Sequence, residues 1–176
     1  MIAAEALVPL ACAAGEHASY AWKNVVVSCW FGPSTLEGVA IHDACLEGQC
    51  SLHPKGLSTI GVVLPGQFAL PAPAVREELS RFVHKYAAHV VGSALILQGS
   101  GFWASAVRGA VTAVTMVSRR ELKPQIFSAA RPAVQWLAPI HLARTGVEID
   151  VEELASLIEG AVRAHAGDAR HAGDTR

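Results

Sequence analysis

Hydrophobic and polar positions along this chain follow two periods, one of strands and one of helices. Asn24 to Phe31 (NVVVSCWF) is β-branched and aromatic, with no glycine or proline until Gly32-Pro33, and predicts a first strand. Ser58 to Leu64 (STIGVVL) is short, nearly all apolar and closed by Pro65-Gly66, the pattern of a strand covered on both faces. Ser93 to Leu97 predicts a third strand and Gln125 to Phe127 a short fourth one.

Between the strands the apolar spacing becomes helical. Ser34 stands three residues before Glu37, a capping-box spacing, and Leu36, Val39, Ala40 and Ala44 follow on one face, with Gly48 as the expected end and Cys50 to Gly56 as a loop. After a proline-rich linker (66–73), Val75, Leu79, Phe82, Val83, Tyr86 and Val90 keep one helical face, with Arg76, Glu77, Glu78, Arg81 and Lys85 opposite. A later helix opens around Pro132 and runs through Val134, Leu137 and Ala138 towards Pro139. In the last helix Asp150 and Glu153 form an N-terminal cap, and Ile149 and Leu154 a hydrophobic staple. It is predicted from Val151 to about residue 164. Its stripe of Leu154, Leu157, Ile158, Ala161 and Val162 must cover the sheet, the N-terminal segment or another subunit.

The stretch Leu95 to Arg119 reads as a buried strand, a glycine turn (Gly99-Ser100-Gly101) and a helix with Val107, Ala110, Val111 and Val114 on one side. Strand and helix alternate, so the expected fold is a single α/β domain. It has an approximately four-stranded, mostly parallel sheet with helices packed on it and an extra amphipathic C-terminal helix. Residues 1–20 are expected to be a docking segment, a short helix broken near Pro9, joined through a polar link at Gly15 to Tyr20. The main domain is then 21–145, the last helix 146–164, and the near-repeat HAGDAR-HAGDTR (165–176) a disordered tail.

Composition narrows the partners. Of 176 residues 52% are hydrophobic and 16% charged, enough for a substantial core. Fourteen basic and fifteen acidic side chains nearly cancel, which leaves no field to collect nucleic acid. No stretch approaches the roughly 18 apolar residues of a membrane span, and the N-terminal apolar run contains Glu5 and lacks a preceding Lys or Arg, so a cytoplasmic protein is expected. Cys12, Cys29, Cys45 and Cys50 lie in apolar segments and are expected as reduced, buried thiols.

The segments LILQGSGFWASAVRGAVTAVTMVSRR, PQIFS and ARPAVQWLAPI, in that order, resemble the STAS domain family, the sulphate transporter and anti-sigma factor antagonist fold. The resemblance implies a non-catalytic, regulatory protein-interaction module, such as a signalling antagonist or scaffold, without a cofactor. Association with a protein partner, or with a second copy as a homodimer, is expected through the central helix and the C-terminal amphipathic helix. It also implies a phosphate-accepting serine at the start of the helix after the third strand, for which Ser105 is the nearest match. A phosphate there would meet free amides and the helix dipole. This chain has Ala104 where that motif carries an acidic residue.

Four groups of residues carry other chemistry, each beside a plainer structural role. Gly99, Ser100 and Gly101 with Ala104 fit a G-x-G-x-x-A turn, the basis of an alternative reading as a small-molecule or nucleotide-binding protein. His42, Cys45, Cys50 and His53 form H-x2-C-x4-C-x2-H, a second alternative as a zinc site, with the first pair one helical turn apart. Trp30, Phe31, Trp103 and Trp136 fall near strand ends and helix starts, where ligands of open sheets sit, and otherwise fill core ends. Arg108 is placed to meet an anionic group of a ligand or partner.

Overall fold

The computed structural model of the chain describes residues 6–64, 71–98, 109 and 123–171, with side chains to 165. Its elements run β1 (Val8–Ala13), β2 (His17–Trp22), β3 (Val25–Trp30), α1 (Leu36–Leu52), β4 (Leu57–Val63), α2 (Pro73–Tyr86), β5 (Val90–Leu97), β6 (Gln125–Phe127), α3 (Ala130–Thr145) and α4 (Val151–His171). The protein is α/β, with one six-stranded mixed sheet in the order β1-β2-β3-β4-β5-β6. β1, β2 and β3 pair antiparallel; β3, β4, β5 and β6 pair parallel.

The sheet is therefore larger than the approximately four strands expected, because residues 8–22 form a hairpin. Val8 to Ala13 is a strand instead of a docking helix, and His17 to Tyr20 belongs to β2 instead of a polar link. Alanine and leucine favour a helix locally, but here the backbone pairs with β2 across a turn in which Gly15 takes φ +76°. The register shifts between Pro9 and Ala11, and that irregularity together with Pro9 interrupts what would otherwise be a smooth edge strand.

Alternation along each strand separates two layers. Val25, Val27 and Cys29 of β3, Ile60 and Val62 of β4, and Ala94 and Ile96 of β5 pack with Ala133, Val134 and Leu137 of α3 and Leu154, Ile158 and Val162 of α4. On the other face Val26, Leu57 and Val90 meet Leu46 of α1 and Phe82 and Tyr86 of α2. Leu154, Ala155 and Ile158 are buried in the first layer, so the α4 stripe covers its own sheet and α3 and is not free for another subunit. Of the stretch Leu95 to Arg119, residues 99–108 and 110–119, and with them the expected helix through Val107, Ala110, Val111 and Val114, lie outside the described residues.

Helix ends moved where tertiary contacts outweighed local signals. α1 passes Gly48 and reaches Leu52, carrying Cys50 into the second layer, and His53 closes it by donating its N–H to Gln49 O at 3.0 Å. α2 stops at Tyr86, and Val90 starts β5 instead of continuing the helical face. α3 runs through Pro139, because ending there would expose His141 and Thr145, both buried; Gly146, at φ +75°, ends it by donating to Leu142 O at 2.9 Å. α4 starts as expected, with Asp150 Oδ1 accepting from Glu153 N at 2.9 Å, and continues to His171, past the expected start of a disordered tail at 165.

Candidate functional site

Two polar clusters lie at opposite ends of the sheet. The first sits where β3 ends and α1 begins. Thr35 is the N-cap of α1 and its hydroxyl accepts from Gly38 N at 3.0 Å, one residue later than the Ser34 box predicts. With Thr35 as cap, the third helical residue is Gly38, which has no side chain to return the bond. Glu16, from the β1–β2 turn, takes that place: its carboxylate accepts from Thr35 N at 2.9 Å and from Thr35 Oγ1 at 2.8 Å. Its main-chain oxygen accepts from Phe31 N and Gly32 N, so one residue ties the hairpin to the β3–α1 connection. A Cβ at position 38 would fall on the Glu16 carboxylate. Gly38→Ala is expected to lower stability by about 2 kcal/mol, the cost of displacing a buried carboxylate from charge-assisted hydrogen bonds, read as a lower urea midpoint.

Beside Glu16, His17 is fully buried, stacked on Trp30 with ring centroids 4.4 Å apart and set edge-on to His42 at 5.5 Å. Among the described residues neither ring nitrogen of His17 has a hydrogen-bond partner. His42 Nδ1 pairs with Ser19 Oγ at 3.2 Å, Ser19 Oγ with Ser28 Oγ at 3.1 Å, and Phe82 lies against the His42 ring. Burial, and next the neighbouring His17, push His42 down to about 3, with Asp43 opposing. Burial also lowers His17, against the pull of Glu16. Both rings are neutral at pH 7.

The second cluster lies where β3 and β4 begin. His141 of α3 is fully buried between Ser58 Oγ, 2.8 Å from Nδ1, and Asn24 Oδ1, 2.8 Å from Nε2. Asn24 Nδ2 donates to Gly56 O, so its Oδ1 faces the imidazole and Nε2–H must donate to it. The neutral ring then accepts the Ser58 hydroxyl at Nδ1. Burial, and next His53, lower His141 to about 4, which keeps it neutral. Serine, histidine and an amide in this order repeat the connectivity of an acyl-transfer triad. Ser58, however, is fully buried, so the chain of bonds joins the β2–β3 turn, β4 and α3 instead of facing a substrate. Alongside it opens a cleft of about 310 Å³ between the end of α1 and the end of α3, bordered by Asn24, Gly56 and Thr145. Leu52, Pro54 and Val147 supply its apolar wall, and Lys23, Lys55 and His53 its basic groups.

The residues singled out in the sequence are dispersed or undescribed. His42 points into the first cluster, Cys45 and Cys50 are half-buried on α1, and His53 caps its end, so the four do not converge. Among the described residues no group of three or more His, Cys, Asp or Glu side chains is arranged to hold a metal. Gly99, Ser100, Gly101, Trp103, Ser105 and Arg108 lie outside the described residues. Trp30 closes over His17, Phe31 stacks on His165, which also pairs with Tyr20 OH, and Trp136 packs on Phe127. All four cysteines are free thiols, but Cys12 is exposed, contrary to the expectation of burial.

Glu16, His17, Asn24, Ser58 and His141 were not singled out. A signal existed for His141, which stands four residues after Leu137 on an apolar helical stripe, where a buried polar group demands a partner. Among the described residues no helix is long and apolar enough to cross a membrane. The fold and its two clusters thus define an α/β protein with a mixed sheet. No protein-family model, characterised protein or solved structure matches this chain.

Proposed function

We propose that this chain is a non-catalytic, regulatory protein-association module with a STAS-like order of elements, which receives its partner at the cleft end of the sheet. Support for the STAS-like order comes from the short strand β6 followed by α3, whose third residue is Pro132. The association reading is carried by the cleft itself. Leu52 is 69% exposed there, beside Pro54 and Val147, and the lining holds two lysines and a histidine without an acidic side chain. An exposed apolar surface rimmed by one sign of charge suits a partner segment of complementary chemistry, here an acidic and apolar stretch of protein chain. Leu142, in the last turn of α3, is a further exposed apolar side chain, at 48%.

The test uses fluorescence polarisation with labelled peptides in which leucine or phenylalanine alternates with glutamate, against peptides with lysine in place of glutamate. Binding of the acidic set is expected, weakening as salt is raised, and at least tenfold weaker with Leu52→Asp or Lys55→Glu, both at exposed positions that leave the core intact. Equal affinity for the two peptide sets, or unchanged affinity in both variants, would overturn the reading.

A further inference from the structure

We infer that His17 is a proton-operated clasp: when protonated, its imidazole leaves the slot between Trp30 and His42 and releases the turn from Ala13 to His17 from the start of α1. The geometry supplies both halves of such a device. The closed state suits only a neutral ring, because both nitrogens of His17 are buried without a partner among the described residues. An imidazolium in the same place would bury two N–H donors and a charge with nothing to receive them. The second half is the attachment. His17 opens β2, opposite Ala13 of β1 and Trp30 of β3, and follows Glu16, whose backbone and carboxylate hold Phe31, Gly32 and Thr35. Movement of the ring therefore pulls on the capping carboxylate of α1.

The charged and titratable groups around the slot fit this direction. From the turn comes Glu16, whose two carboxylate oxygens are already engaged by Thr35. From α1 come His42, whose own charging a charge on His17 opposes, and Asp43, which is bound to Lys85 and Tyr86 of α2. β2 and β3 add the uncharged Ser19, Ser28 and Trp30, and α2 adds Phe82. The competing response is an imidazolium that stays and pairs with Glu16, which would tighten the turn instead of freeing it. Opening instead uncovers the faces of Trp30 and His42 at the end of the sheet opposite the cleft, so the clasp is separate from the association surface.

Hydrogen exchange of the full chain at pH 7.5 and pH 5.5, corrected for intrinsic rates, separates these outcomes. An open His17 titrates near its ordinary value of about 6.5, so protection of residues 13–20 is expected to fall by up to about tenfold more than that of β5. His17→Phe, which can stack on Trp30 without titrating, is expected to lose this excess, and His17→Gln provides the same readout with a polar, uncharged side chain. Protection at 13–20 that holds or rises at pH 5.5, that falls only in step with β5, or that responds fully in both variants would overturn the clasp. None of these outcomes depends on peptide binding at the cleft.

Discussion

Replacing His141 with leucine is expected to lower folding stability by about 3 to 5 kcal/mol at pH 7, the range for breaking a buried hydrogen-bonded network. Leucine restores most of the volume, so the loss comes from polarity more than from a cavity. Ser58 Oγ and Asn24 Oδ1 each lose their bond to the ring at 2.8 Å, and both residues are buried. Each unsatisfied group costs about 1 to 3 kcal/mol of desolvation. Asn24 also holds Gly56, the residue at φ +105° whose added Cβ would press on Val91 Cγ1 at 2.6 Å, so disturbance at the imidazole spreads to the loop before β4. Urea unfolding followed by circular dichroism measures the effect, as a lower midpoint with the slope retained. A loss below about 1 kcal/mol would show that the network is not a main tie between α3 and the sheet.

Acid is expected to destabilise the protein well before carboxylates titrate. His141 and His42 are held neutral in the folded state, at about 4 and about 3, against an ordinary value of 6.5 in the unfolded chain. The unfolded chain therefore binds more protons below pH 6.5. Stability from these two groups is fully present above that value and declines as pH falls towards their folded values. At pH 5 each contributes a loss of about 2 kcal/mol relative to pH 7.5, by linkage with 1.36 kcal/mol per unit. His17 acts in the same direction. The check is the urea midpoint across pH 5 to 8, and the His141→Leu variant should show a pH dependence smaller by about 2 kcal/mol because its share is gone. A flat profile from pH 7.5 to 5 would mean that the buried imidazoles take up protons in place.

Strands β3, β4, β5 and β6, helix α2 and the cap of α4 were legible because each rests on residues close in sequence. The run Val25 to Val27 ahead of Gly32-Pro33 needs no distant partner to announce a strand, and Asp150 reaches Glu153 N within a single turn. The hairpin was not legible, since Val8 to Ala13 becomes a strand only by pairing with β2. The α1 cap was legible in kind but not in detail. A carboxylate returns the bond to the N-cap, yet it comes from Glu16 and not from Glu37, which is the acidic residue of the first turn.

Local order thus came from the amino-acid sequence alone: the alternation of strand and helix and the apolar stripe of α4. Tertiary structure alone decided which polar residues matter. It brings Asn24, Ser58 and His141 together across as many as 117 positions of sequence, and it seals His17 between Trp30 and His42. Periodicity records which face of an element is buried, whereas a hydrogen bond between elements depends on where each one ends and how the layers meet, and neither is written in any local window.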